Sequence, residues 1–91
     1  MYEVIISKTF KKKYDKLPQK IKEIAKKILI KLQYELLGEQ LKGDLKGIYS
    51  IHFDRNHYRI LYTKDKNSIK IILLHIGKRT NSFYGTYKKN N

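Results

Sequence analysis

The chain has 91 residues, enough for one domain, and 41% of them are hydrophobic, which excludes a disordered chain. It has no cysteine, so a disulfide framework and a Cys-ligated metal site are excluded, in keeping with a reducing, cytoplasmic setting. Lys and Arg number 21 against 8 acids, a formal charge of +13 that repels itself and draws polyanions, nucleic acid first among them.

The N-terminal run MYEVIISKTF has no basic segment ahead of its apolar stretch, so it does not read as a signal peptide. No apolar run approaches the roughly 18 residues needed to span a bilayer, so no membrane role is expected. Residues 2–7 are β-branched and short, the pattern of a strand. Residues 8–16 predict a short helix with Phe10 and Tyr14 on one face.

Pro18 opens the strongest helix, since proline suits a first helical turn. Leu17, Ile21, Ile24, Ala25, Ile28, Leu32 and Leu36 follow its 3.6-residue period, and Gly38 is the expected stop. The lysines at 20, 26, 27 and 31 fall largely elsewhere around the helix. They read either as a solvated face or as phosphate contacts.

Residues 39–47, with LKGDLKG at their centre, read as a connector. Two alternating runs follow, 48–54 and 57–63, and then a nearly all-apolar run, 69–76, of the kind covered on both faces. The cluster KDKNS is a turn between the last two. The tail from Lys78 to Asn91 is basic and aromatic without a clear period. The order is βααβββ: an α+β fold with two N-terminal helices packed on a mainly antiparallel four-stranded sheet, one domain over residues 1–91.

The register of the first hairpin follows from face matching. Tyr49, Ile51 and Phe53 share a face with Tyr58, Ile60 and Tyr62 only if paired numbers sum to an odd value. A two-residue turn at Arg55-Asn56 satisfies this and sets His52 across from Arg59 and Ser50 across from Leu61, with His57 starting the second strand. Arginine offers planar paired donors to phosphate, and histidine moves protons near neutral pH. Polar residues also belong on any half-exposed sheet, so this pair reads either as a site or as ordinary surface. His75 shares a simple strand face with Ile71 and Leu73 and is expected to be a packed core histidine. Three histidines without a cysteine or a close carboxylate give no metal motif.

The runs LKGIYSIHFDRNHYRILY and IKIILLHIGKRTNSFY resemble the core of the RelE/ParE toxin superfamily. The carrying features are LKG before the hairpin, YRILY in its second strand, and IGKR with a tyrosine soon after. The resemblance spans essentially the whole chain and implies a toxin of a type II toxin–antitoxin system. RelE-like members cleave messenger RNA on the ribosome without metal or cofactor. ParE-like members share the fold and act on DNA gyrase. Both are silenced by an antitoxin, so an acidic antitoxin is the expected partner, the toxin being a monomer when free and a hetero-oligomer when bound.

By this resemblance Arg59 and Arg79 match the family's arginines and Tyr84 its C-terminal tyrosine. RelE itself carries two lysines where this chain has Ser50 and His52, a departure that leaves His52 to supply the proton chemistry or leaves cleavage weak or absent. His52, Arg59, Arg79 and Tyr84 are the expected catalytic set, with Lys78, His57, Ser50 and Arg55 as RNA contacts. The alternatives are a gyrase-inhibiting toxin and an inactive basic nucleic-acid-binding relative.

Overall fold

The structure, a computed structural model, describes residues 1–65 and 67–78. Its elements in chain order are β1 (Glu3–Ile6), α1 (Lys8–Asp15), α2 (Gln19–Leu32), β2 (Glu39–Gln40), a 3₁₀ turn (Gly43–Leu45), β3 (Ile48–Phe53), β4 (Tyr58–Lys64) and β5 (Lys70–Lys78). The five strands form one mixed sheet in the order β1-β5-β4-β3-β2. β1 pairs with β5 in parallel and every other neighbour is antiparallel. Two helices on a sheet is the α+β arrangement expected, with one strand more. The connector at 39–47 contributes β2, whose Glu39 and Gln40 pair with Ser50 and Tyr49. Nothing in the residue pattern marks it, because two residues cannot display alternation.

Ser7 starts α1: its side chain accepts a hydrogen bond from the Phe10 amide at 3.1 Å, satisfying one of the free donors of a helix start. At α2 the Pro18 carbonyl accepts from the amides of Ile21 and Lys22. This helix ends at Leu32, four residues short of the apolar periodicity, and Leu36 stands 36% exposed. The reason is tertiary. The carbonyl of Gln33 accepts from the Tyr2 amide at 2.6 Å, tying the end of α2 to the start of β1.

The core lies between the helices and one face of the sheet. Phe10, Ile21, Ala25 and Leu32 from the helices meet Ile51, Phe53, Ile60, Tyr62, Ile71, Leu73 and Ile76. Burying side chains of this size contributes roughly 1.5–3 kcal/mol each relative to exposure. The ring contacts report the hairpin register directly. Tyr49 and Tyr62 stack at 5.0 Å, and Phe53 and Tyr58 meet at 5.6 Å. Tyr62 also donates from its hydroxyl to the Leu37 carbonyl, so the sheet holds the segment that follows α2. Burial pushes that phenol well above its ordinary range. Among the described residues no helix is long and apolar enough to cross a membrane.

Candidate functional site on the sheet face away from the core

The β3–β4 hairpin pairs Phe53 with Tyr58, His52 with Arg59, Ile51 with Ile60 and Ser50 with Leu61, the register derived from the sequence. Its turn is closed by a hydrogen bond from the His57 amide to the Asp54 carbonyl at 3.0 Å. Asp54, Arg55 and Asn56 all have positive φ, at 50°, 57° and 68°. Positive values at both central positions are those of the tight hairpin turn that matches strand twist.

β5 completes the face. Arg59 pairs with Gly77 and Leu61 with His75, while Tyr62 pairs with Leu73, so Leu74 is an extra residue on β5. One added residue reverses the parity of everything after it. His75 therefore joins the face of Arg59 and Ser50, and its expected place beside Ile71 and Leu73 is corrected by this bulge. The bulge falls where β1 ends. The last β1–β5 pair is Ile6 with Leu73, and beyond it α1 takes over beside β5.

The face thus carries His52, Arg59 and Gly77 in one row, and Ser50, Leu61 and His75 in the next. Gly77 offers no side chain, which leaves room beside the arginine. The second row is packed: Ser50 is 1% exposed, Leu61 0% and His75 9%. Ser50, expected as an RNA contact, therefore presents almost no surface. Burial, with the Lys13 charge as a second cause, pushes His75 down to about 4, so the imidazole is neutral at neutral pH. Arg59 is 5% exposed, whereas His52 stands exposed directly across from it.

His57 and Arg55 are exposed at the hairpin end. His57 closes the turn just before β4, which starts at Tyr58, so strand alternation does not assign it to the face of Arg59. Lys78 is exposed at the end of β5 but pairs with Tyr58, which places it on the other parity from Arg59. Arg79 and Tyr84 lie outside the described residues. Among the described residues no three His, Asp or Glu side chains converge as a metal-binding group. His75 is packed, as expected from the sequence, but on the other face of its strand, and no local pattern around LLHIG announces the bulge that puts it there.

A family model described as a ParE-like toxin of type II bacterial toxin–antitoxin systems matches residues 4–88. The chain belongs to this toxin family. As a ParE-like toxin it also shares its fold with solved members of the wider RelE/ParE group. The toxin–antitoxin complex RelBE2 from Mycobacterium tuberculosis contains a chain 27% identical, with 86% of this chain and 98% of that chain covered at a TM-score of 0.76. The isolated E. coli RelE toxin is 20% identical, covers 100% of both chains and gives a TM-score of 0.73. A YoeB/ParE toxin from Agrobacterium tumefaciens is 15% identical over 86% of this chain and 99% of that one, with a TM-score of 0.70. No curated protein sequence matches the chain.

Proposed function

We propose that this toxin is a RelE-like endoribonuclease that cuts messenger RNA on the ribosome, in the cytoplasm, without metal. The observation that carries the reading is the pairing of exposed His52 with buried Arg59 on one sheet face. In such a reaction a base takes the ribose 2′-OH proton, an acid protonates the leaving oxygen, and cations hold the phosphate. Arg59 and Arg79 hold the phosphate, His52 moves a proton, and Tyr84 stacks on a base or orients the 2′-OH. Arg55 and His57 add RNA contacts at the hairpin end, and Lys78 adds a cation at the end of β5.

An acidic antitoxin is the proposed partner. The chain's +13 charge favours an acidic chain that folds on binding, and the similar M. tuberculosis chain comes from a toxin–antitoxin complex. A second reading, gyrase inhibition without nuclease action, is favoured by the ParE-like family match and by Ser50 and His52 standing where RelE has lysines.

Expression from a tight promoter, with growth followed and messenger RNA ends mapped by primer extension, tests this. Codon-phased cuts that vanish with Arg79→Ala support the nuclease. Growth arrest with intact messages and damaged DNA supports gyrase inhibition. A folded chain without effect on growth overturns both.

A further inference from the structure

We infer that one flank of α2 is a second nucleic-acid surface, which docks structured RNA on Lys20, Lys27 and Lys31 and stacks an unpaired base on Tyr34. The helices pack on the sheet face opposite the one that carries His52 and Arg59. The RNA taken here is therefore a segment other than the one placed at Arg59. Docking on this flank does not depend on cleavage.

The helix period places the three lysines. Ile21, Ala25 and Leu32 are buried and set the side of α2 that meets the sheet. At 3.6 residues per turn, Lys20, Lys27 and Lys31 fall within about 40° of one another and clear of that buried stripe. All three are exposed, and among the described residues the one ion pair is Lys11 with Asp15 on α1. Glu23, the acid of α2, borders the row, leaving three cations to one carboxylate. The other flank of the helix belongs to α1. The Lys22 ammonium stands 5.9 Å from the centre of the Tyr14 ring, and Lys26 lines a groove with Ile6, Phe10 and Tyr14. Of the four lysines that could be phosphate contacts, Lys26 is thus turned to α1 and the other three remain together.

Tyr34 separates a docking surface from a merely solvated one. Gln33 keeps helical dihedrals, φ −64° and ψ −22°, and the Tyr34 amide donates to the Lys31 carbonyl at 3.0 Å. The α-carbon of Tyr34 therefore continues the helical path one turn beyond Lys31. Its side chain is 67% exposed, and Ile30, four residues earlier, is 56% exposed. Every other tyrosine among the described residues packs in or against the core. The exposed Lys8, Lys12 and Lys16 give α1 an equal charge, but its aromatic residues, Phe10 and Tyr14, belong to the core. A bare ring at the end of a row of ammonium groups matches a nucleic acid strand, whose phosphates take the cations and whose unpaired base takes the ring. A blunt duplex would use the lysines alone.

Fluorescence anisotropy with two 2′-O-methyl RNA probes, which lack the attacking hydroxyl and cannot be cut, tests the surface. One probe is a hairpin whose loop offers unpaired bases, and the other is a blunt duplex of the same length. Tyr34→Ala is expected to weaken hairpin binding about five- to a hundredfold, the usual loss of one base stack, and to leave duplex binding within about twofold. Tyr34→Phe keeps the ring and is expected to bind both probes like the unaltered protein. The triple variant Lys20→Gln, Lys27→Gln, Lys31→Gln is expected to weaken both probes and to lower the slope of log affinity against log salt by about 2–3. The matched triple variant Lys8→Gln, Lys12→Gln, Lys16→Gln is expected to change that slope by less than about 1. Equal slope losses in the two triple variants would overturn the surface, as would undiminished hairpin binding by Tyr34→Ala or no binding of either probe by the unaltered protein. Undiminished RNA binding by the α2 variants with loss of a poly-glutamate peptide would make the flank a seat for an acidic protein instead. Failure of the unaltered protein to cut mRNA would remove the nuclease reading and leave these binding results standing.

Discussion

Gly38 lies so close to Ser50 that a β-carbon built on it would sit 2.3 Å from the Ser50 carbonyl oxygen and 2.8 Å from its carbonyl carbon. The same glycine has φ +81°, a conformation that side chains resist. The chain leaving α2 thus presses against the backbone of β3, one strand from the arginine of the candidate site. Gly38→Ala combines a backbone collision with a strained φ, and a loss of about 2–4 kcal/mol is expected in urea unfolding. Gly43→Ala is the comparison, since its φ is +67° and nothing lies within 4 Å of the added carbon. It should lose only about 1–2 kcal/mol, the conformational part. Equal losses at both positions would mean that the approach to Ser50 costs nothing.

Tyr62 ties the same region down from the sheet side. Tyr62→Phe keeps the stack on Tyr49 but removes the donor to the Leu37 carbonyl. A buried hydrogen bond lost this way costs about 1–2 kcal/mol. The urea midpoint should fall with an unchanged slope, since compactness is unaltered.

The buried His75 predicts a pH dependence of stability. Its folded value is about 4 against 6.5 for the free side chain. The unfolded chain takes up a proton as pH falls below 6.5 and the folded chain does not until about 4. The folded state is therefore at full strength above pH 6.5 and loses stability as pH falls through that window. The loss approaches about 3 kcal/mol by pH 4, at 1.36 kcal/mol per unit. Unfolding of His75→Leu compared with the unaltered protein at pH 7 and pH 4 isolates the contribution. The pH-induced loss should be smaller in the variant by that amount.

Arg55 sits at φ 57° in the hairpin turn, where glycine is the natural occupant. Arg55→Gly should stabilise the fold by about 1 kcal/mol, read as a higher thermal midpoint. On the proposed function the same variant loses a cation at the hairpin end, so RNA cleavage should weaken while stability rises. A variant more stable and equally active would remove Arg55 from the site.

The hairpin was legible in the sequence because alternation leaves it no freedom. Three aromatic and aliphatic residues on each strand had to share the core face, so the opposite face, with His52 across from Arg59, followed by parity. The two helices were legible for a similar reason, one apolar stripe apiece. The position of His75 was not. It depends on one extra residue at Leu74, placed where β1 stops accompanying β5 and α1 begins, a junction between segments about 65 residues apart. The true end of α2 was also hidden, because the Tyr2 amide claims the Gln33 carbonyl while the apolar period runs on to Leu36. Within an unbroken strand, as in the β3–β4 hairpin, the sequence by itself determined which residues share a face, since side-chain period is a local property of the backbone. Only the tertiary structure decided which of those faces is packed and which is open, since burial depends on what distant segments bring against it. That is why Ser50 and His75 are buried within the site while His52 and His57 stand exposed.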